Sequence, residues 1–119
     1  DFDTLEALIA AAKERGVNPH VGIIRAHDSF YAESILAGGD YLVKDKPWID
    51  SGVLSTENES STLFTLATVR KCRSGTILIP VGHHLFPDEM ISTEQLSDAI
   101  KLETLIALDA TVKLKQKFG

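Results

Sequence analysis

Cysteine is almost missing from this 119-residue chain: Cys72 is its one thiol, so no disulfide can close within it. A reducing, cytoplasmic setting is the natural expectation. Long hydrophobic runs are missing too. None approaches the ~20 residues of a membrane span, and the opening residues do not read as a signal peptide. Positive charge is scarce, with 12 Lys+Arg against 17 Asp+Glu and a formal net charge of −5. That balance excludes the broad basic face of a nucleic-acid binder, so neither nucleic acid nor membrane is an expected partner. It leaves room for a small anion, which needs only a few local cations. Zinc patterns are absent, with neither a cysteine cluster nor H-E-x-x-H, so no metal site is expected. The G-x-S-x-G elbow of a serine hydrolase is also missing. Methionine occurs once, at Met90, and the chain opens at Asp1. This reads as a cut inside a protein or a processed chain.

What is present suits one α/β domain. The hydrophobic fraction of 44% is enough for a globular core. In "DFDTLEALIAAAKERG", Leu5, Leu8, Ile9 and Ala12 follow the i, i+3, i+4, i+7 spacing of one buried helix face. Asp3 or Thr4 can cap this helix, and Gly16 can end it. "HVGIIRA" reads as a strand buried on both faces, followed by polar His27-Asp28-Ser29. Residues 32–52 are irregular: a short helix near 31–37 is expected, then a loop that can act as a lid. Val53-Leu54 opens a short strand, and a helix follows from about Ser60 to Lys71. "GTILIPV" reads as a second buried strand, with Pro80 at an edge, a bulge or the end of pairing. His83-His84 lie at its end. Ser92 with Gln95 forms a capping-box pattern for a last helix carrying Leu96, Ala99, Ile100, Ile106 and Ala110, and reaching about Lys117. Lys113, Lys115 and Lys117 suit the negative end of its dipole.

In α/β sheets the ligand crevice lies beyond the carboxyl ends of the strands. Three polar clusters fall at such places: His27-Asp28-Ser29, Glu57-Asn58-Glu59 and His83-His84. Glu57 and Glu59, two apart on extended backbone, point to one side, a geometry that suits the neighbouring hydroxyls of a sugar. On spacing alone, acids at a helix start are more commonly solvated residues favoured by the dipole. Either histidine of the pair can donate a proton to a leaving group, although a surface loop is the commoner setting. Adjacency does not make His27, Asp28 and Ser29 a triad. Arg25, on a buried strand, needs an anionic partner: Asp28, a glutamate or a substrate. Phe30, Tyr31 and Trp48 can stack on a flat ring.

These residues resemble a known family. "DFDTLEALIAAAKERGVNPHVGIIRAHDSFY" is similar to the uridine phosphorylase stretch that runs helix, "THVG", strand, "SDTFY". "SGVLSTENESSTLFTLA" is similar to "GVxNYEMESATLLT" of the same enzymes, and "RSGTILIPVGHH" falls in register with their next strand. The resemblance is to the C-terminal half of a nucleoside phosphorylase, closest to uridine phosphorylase. It implies that residues 1–119 are part of a single α/β domain, a three-layer α/β/α sandwich with a mixed central sheet. It also implies a reaction: nucleoside plus phosphate gives ribose 1-phosphate plus base. Glu59 would bind the ribose hydroxyls with Glu57 in support. Asn58 stands where a methionine usually packs on the sugar. Phe30 matches the ring that stacks on the base. His83 stands where related purine enzymes carry the aspartate that protonates the base. Phosphate would be a co-substrate, with no cofactor, and the partners would be the N-terminal half and further copies in a homo-oligomer. The alternatives are a nucleosidase that uses water, and a non-catalytic relative that binds a nucleoside or assembles with a partner.

Overall fold

The computed structural model describes residues 1–28, 41–82 and 88–119. Its elements run α1 (Phe2–Glu14), β1 (Ile24–Ala26), α2 (Tyr41–Asp50), β2 (Ser55–Glu57), α3 (Ser60–Val69) and α4 (Thr93–Phe118). They fall into two compact units, Asp1–Pro19 with Arg70–Gly119, and His20–Val69. None of the helices among the described residues is long and apolar enough to cross a membrane.

The first unit is built on α1 against α4. The cap of α1 is Asp1 instead of Asp3 or Thr4: its carboxylate accepts from the Thr4 amide and hydroxyl, both at 2.9 Å. Asp3 is engaged elsewhere, with Lys117 at 2.7 Å and Arg73 at 2.7 Å. At the other end Gly16 adopts φ +75°, as expected of a left-handed stop. The Gly16 amide donates to the Lys13 carbonyl and the Val17 amide to Ala12, the paired bonds of a Schellman ending. Val17 then folds back onto the core.

The buried face of α1 is rotated from the one expected. Ala7, Ala11 and Ala12 are innermost, Leu8 flanks them, and Leu5 is exposed. They meet Ile106 and Ala110 of α4, each 3% exposed. Small side chains at the crossing bring the two backbones close, which pushes the bulkier leucines to its margins. Ser92 and Gln95 form both arms of the expected capping box at the start of the 26-residue α4. Ion pairs border the crossing, Arg15–Asp109 at 2.6 Å and Lys113–Glu14 at 2.6 Å. Lys113 and Lys117 therefore serve α1 as well as the dipole of their own helix. "GTILIPV" forms no ladder among the described residues, which corrects the expectation of a second strand there. A strand needs a neighbour to pair with, and Pro80 lacks a donor. The segment still packs inward, with Ile77 against the helix core. A β-carbon at Gly75 would lie 2.6 Å from the Thr4 side chain, so only glycine lets the chain pass this close to α1.

The second unit holds a two-stranded parallel sheet, β1 beside β2, in the register Ile24↔Ser55, Arg25↔Thr56 and Ala26↔Glu57. The expected strand over 20–26 is shorter and less covered: Val21 and Ile23 are 51% and 68% exposed. The expected strand start at Val53-Leu54 moves two residues on, although the Leu54 amide already donates to the Ile23 carbonyl at 2.9 Å. The coarse α/β reading holds, with a parallel pair and flanking helices. Helix α2 replaces the later part of the expected loop; the helix expected near 31–37 lies outside the described residues. Pro47, inside α2, removes a helical donor, which is why the sequence reads there as a break. Helix α2 ends as α1 does: Gly52 at φ +79° donates to Ile49 and Val53 donates to Trp48. Helix α3 follows the expectation closely from Ser60 and stops at Val69.

Candidate functional site

Parallel pairing brings the carboxyl ends of β1 and β2 side by side, so His27 and the Glu57-Asn58-Glu59 turn are neighbours. The His27 amide donates to the Glu57 carbonyl at 3.1 Å, one step past the end of β1. Two of the three polar clusters singled out in the sequence thus meet. The third, His83-His84, lies outside the described residues, as do Phe30, Ser29 and Tyr31.

The two acids have different tasks. The Glu57 side chain bends over the start of α3. Its Oε2 accepts from the amides of Glu59 at 2.8 Å and Ser60 at 2.7 Å, and its Oε1 from the Ser60 hydroxyl at 2.5 Å. These amides have no partner inside the helix, so a carboxylate is well placed there. Partial burial pushes the Glu57 carboxyl up. The Ser60 hydroxyl, the Ser60 and Glu59 amides and the charge of His27 outweigh it, and the net is a lowered pKa. Glu57 is an anion at neutral pH, and both of its oxygens are engaged within the fold.

Glu59 is exposed, and its Oε2 takes the Asn58 amide at 3.0 Å. That is the carboxylate's one hydrogen bond among the described residues, which leaves acceptor sites on it available to hydroxyl donors. Asn58 is half-buried between the acids, and its Nδ2 donates to the His27 carbonyl at 2.5 Å. The arrangement is an anionic acceptor held on a tightly hydrogen-bonded turn at the end of a parallel strand pair.

Arg25 meets an acid that the sequence reading did not offer: it pairs with Asp45 of α2, which is 5% exposed, with Nη1 and Oδ1 3.7 Å apart. Its guanidinium lies 4.7 Å from the centre of the Trp48 ring. Trp48, offered above as a stacking platform for a ligand, is thus engaged by Arg25. This arrangement was not legible earlier because α2 itself was read as loop. Beside Arg25 in the register sits Thr56, whose Oγ1 is buried without a hydrogen-bond partner. Among the described residues no group of three or more His, Cys, Asp or Glu side chains could hold a metal ion.

Comparison with known proteins bears on this turn. The chain is 32% identical over 113 residues to the DeoD-type purine nucleoside phosphorylase of Exiguobacterium sibiricum, covering 95% of this chain and 45% of that protein. It is 31% identical over 87 residues to the uridine phosphorylase of Treponema pallidum, covering 70% and 34%. It is 39% identical over 83 residues to the guanosine phosphorylase of Halorubrum lacusprofundi, covering 70% and 32%. The chain thus spans less than half the length of these relatives. No family model matches it, and no solved structure matches it.

Proposed function

Because the chain belongs to the nucleoside phosphorylase family, we propose that the protein carrying it cleaves nucleosides with phosphate, giving ribose 1-phosphate and free base. The observation that carries this reading is the division of labour in the Glu57–Glu59 turn. Glu57 is consumed in holding the start of α3, and the exposed Glu59 carboxylate is left to accept from a ligand. A carboxylate accepts from two neighbouring hydroxyls at once, which matches the 2′ and 3′ positions of a ribose. Cleavage of the N-glycosidic bond builds positive charge on the sugar and negative charge on the base. A fixed anion beside the sugar favours the first. Glu59 orients the ribose in this reading, Phe30 stacks on the base and His83 assists its departure.

The chain forms part of a single domain with the three-layer α/β/α sandwich and mixed sheet described for the resemblance above. A further segment of the same protein supplies the phosphate cradle, and the protein assembles as a homo-oligomer in the cytoplasm. Phosphate is the co-substrate, and the reaction calls for no metal or organic cofactor. The base preference is put as uridine-like.

The experiment is a product assay on the full-length protein with uridine, inosine and guanosine, with and without phosphate. Phosphate-dependent ribose 1-phosphate supports the reading. Free ribose formed without phosphate turns it into a nucleosidase, and binding without turnover turns it into a non-catalytic nucleoside binder. Inosine or guanosine cleaved faster than uridine overturns the base preference alone.

A further inference from the structure

We infer that Asn58 is a positioning residue: its side chain clips the acid-bearing turn to the end of β1 instead of packing on the sugar. In a parallel ladder, a residue donates its N–H to one partner and accepts at its C=O from the residue two further along. At the start of the pair Ile23 stands opposite Leu54, so the Leu54 amide that donates to the Ile23 carbonyl at 2.9 Å lies outside the regular ladder. At the other end the His27 amide donates to the Glu57 carbonyl at 3.1 Å, so the His27 carbonyl is due the amide of Glu59. That amide has been diverted: it donates to Glu57 Oε2 at 2.8 Å as the chain turns into α3. The Asn58 Nδ2 takes its place on the His27 carbonyl. The side-chain amide thus completes the ladder where the backbone leaves it.

The substitution of amide for amide has a chemical requirement. The residue at 58 must carry an N–H or O–H donor on a short stem, and methionine has none. A half-buried carbonyl left short of its donor loses part of the hold on the turn. The functional consequence, which rests on the phosphorylase reading, is that the clip sets where the Glu59 carboxylate stands relative to the sugar.

Two variants of the full-length protein test it. Asn58→Asp keeps the shape and puts an acceptor where the donor was. Asn58→Met supplies the apolar surface that would pack on a sugar but no donor. We expect both to raise the KM for nucleoside roughly two- to tenfold, as the loss of one such bond would, with the KM for phosphate unchanged. Both should also speed amide exchange at His27 and Glu59. Asn58→Met with an unchanged or lower nucleoside KM and unchanged exchange overturns the inference. Should the unaltered protein cleave no nucleoside, the phosphorylase reading falls, and the exchange rates still decide the clip: acceleration in both variants upholds it, and unchanged rates refute it.

Discussion

Removing the Glu57 carboxylate should loosen the whole turn, and its effect should depend on pH in a stated direction. Glu57 receives three hydrogen bonds, from the Glu59 amide, the Ser60 amide and the Ser60 hydroxyl. Losing a side-chain cap at a helix start typically costs about 0.5–2 kcal/mol, and bonds to a charged group lie at the upper end. Half-exposure of the site keeps the figure from growing further, so Glu57→Ala should cost about 2 kcal/mol at neutral pH. Glu57→Gln, which retains one oxygen acceptor but no charge, should cost about half of that. Because the folded carboxyl has a lowered pKa, its stabilisation is complete above the pKa of the unfolded chain. It disappears as pH falls through the folded value. Urea unfolding followed by circular dichroism at pH 7 and again near pH 3 is the assay. A deficit in Glu57→Gln that persists undiminished at the acid end, or no deficit at neutrality, would refute the capping argument.

Other consequences can be read by simple means. Glu59→Gln in the full-length protein should lower kcat/KM for nucleoside by roughly a hundredfold, while the free energy of unfolding stays within about 0.5 kcal/mol of the parent; near-normal turnover removes Glu59 from the site. Ala11→Leu should destabilise by about 1–3 kcal/mol, because Ala11 is 0% exposed at the α1–α4 crossing and has no room to grow; thermal denaturation reads this. Glu103 shows the opposite pH sign to Glu57, since burial raises its carboxyl pKa. The stability attached to Glu103 is present at low pH and is lost as pH rises through its folded value, so Glu103→Gln should gain stability at neutrality and not at pH 3. Dialysis against a chelator should leave phosphorolysis unchanged, as measured by base release before and after treatment.

Much of the helical framework was legible because helix signals are local. Ser92 and Gln95 announced the start of α4, and Gly16 the end of α1, since caps depend on residues a few positions apart. The acid pair was legible as a candidate for the same reason. Its division of labour was not, because either glutamate could have taken the α3 amides from spacing alone. Helix α2 was hidden by Pro47. The buried faces of "HVGIIRA" and "GTILIPV" were overstated, because apolar composition does not say whether a neighbouring strand exists. The N-cap of α1 fell on Asp1 because the helix already starts at Phe2, which leaves Asp3 inside it and free to pair with Lys117 and Arg73.

The amino-acid order by itself determined the end of α1, the starts of α3 and α4, the approximate place of β2, the polar turn after it and the family to which the chain is related. These follow from short-range stereochemistry and from residue identities that need no coordinates. Only the tertiary structure decided that Glu57 caps α3 while Glu59 stays exposed, that Asn58 reaches back to His27, and that Arg25 meets Asp45 and Trp48. Each of these is a choice among several partners, and distance in space makes that choice where distance along the chain cannot.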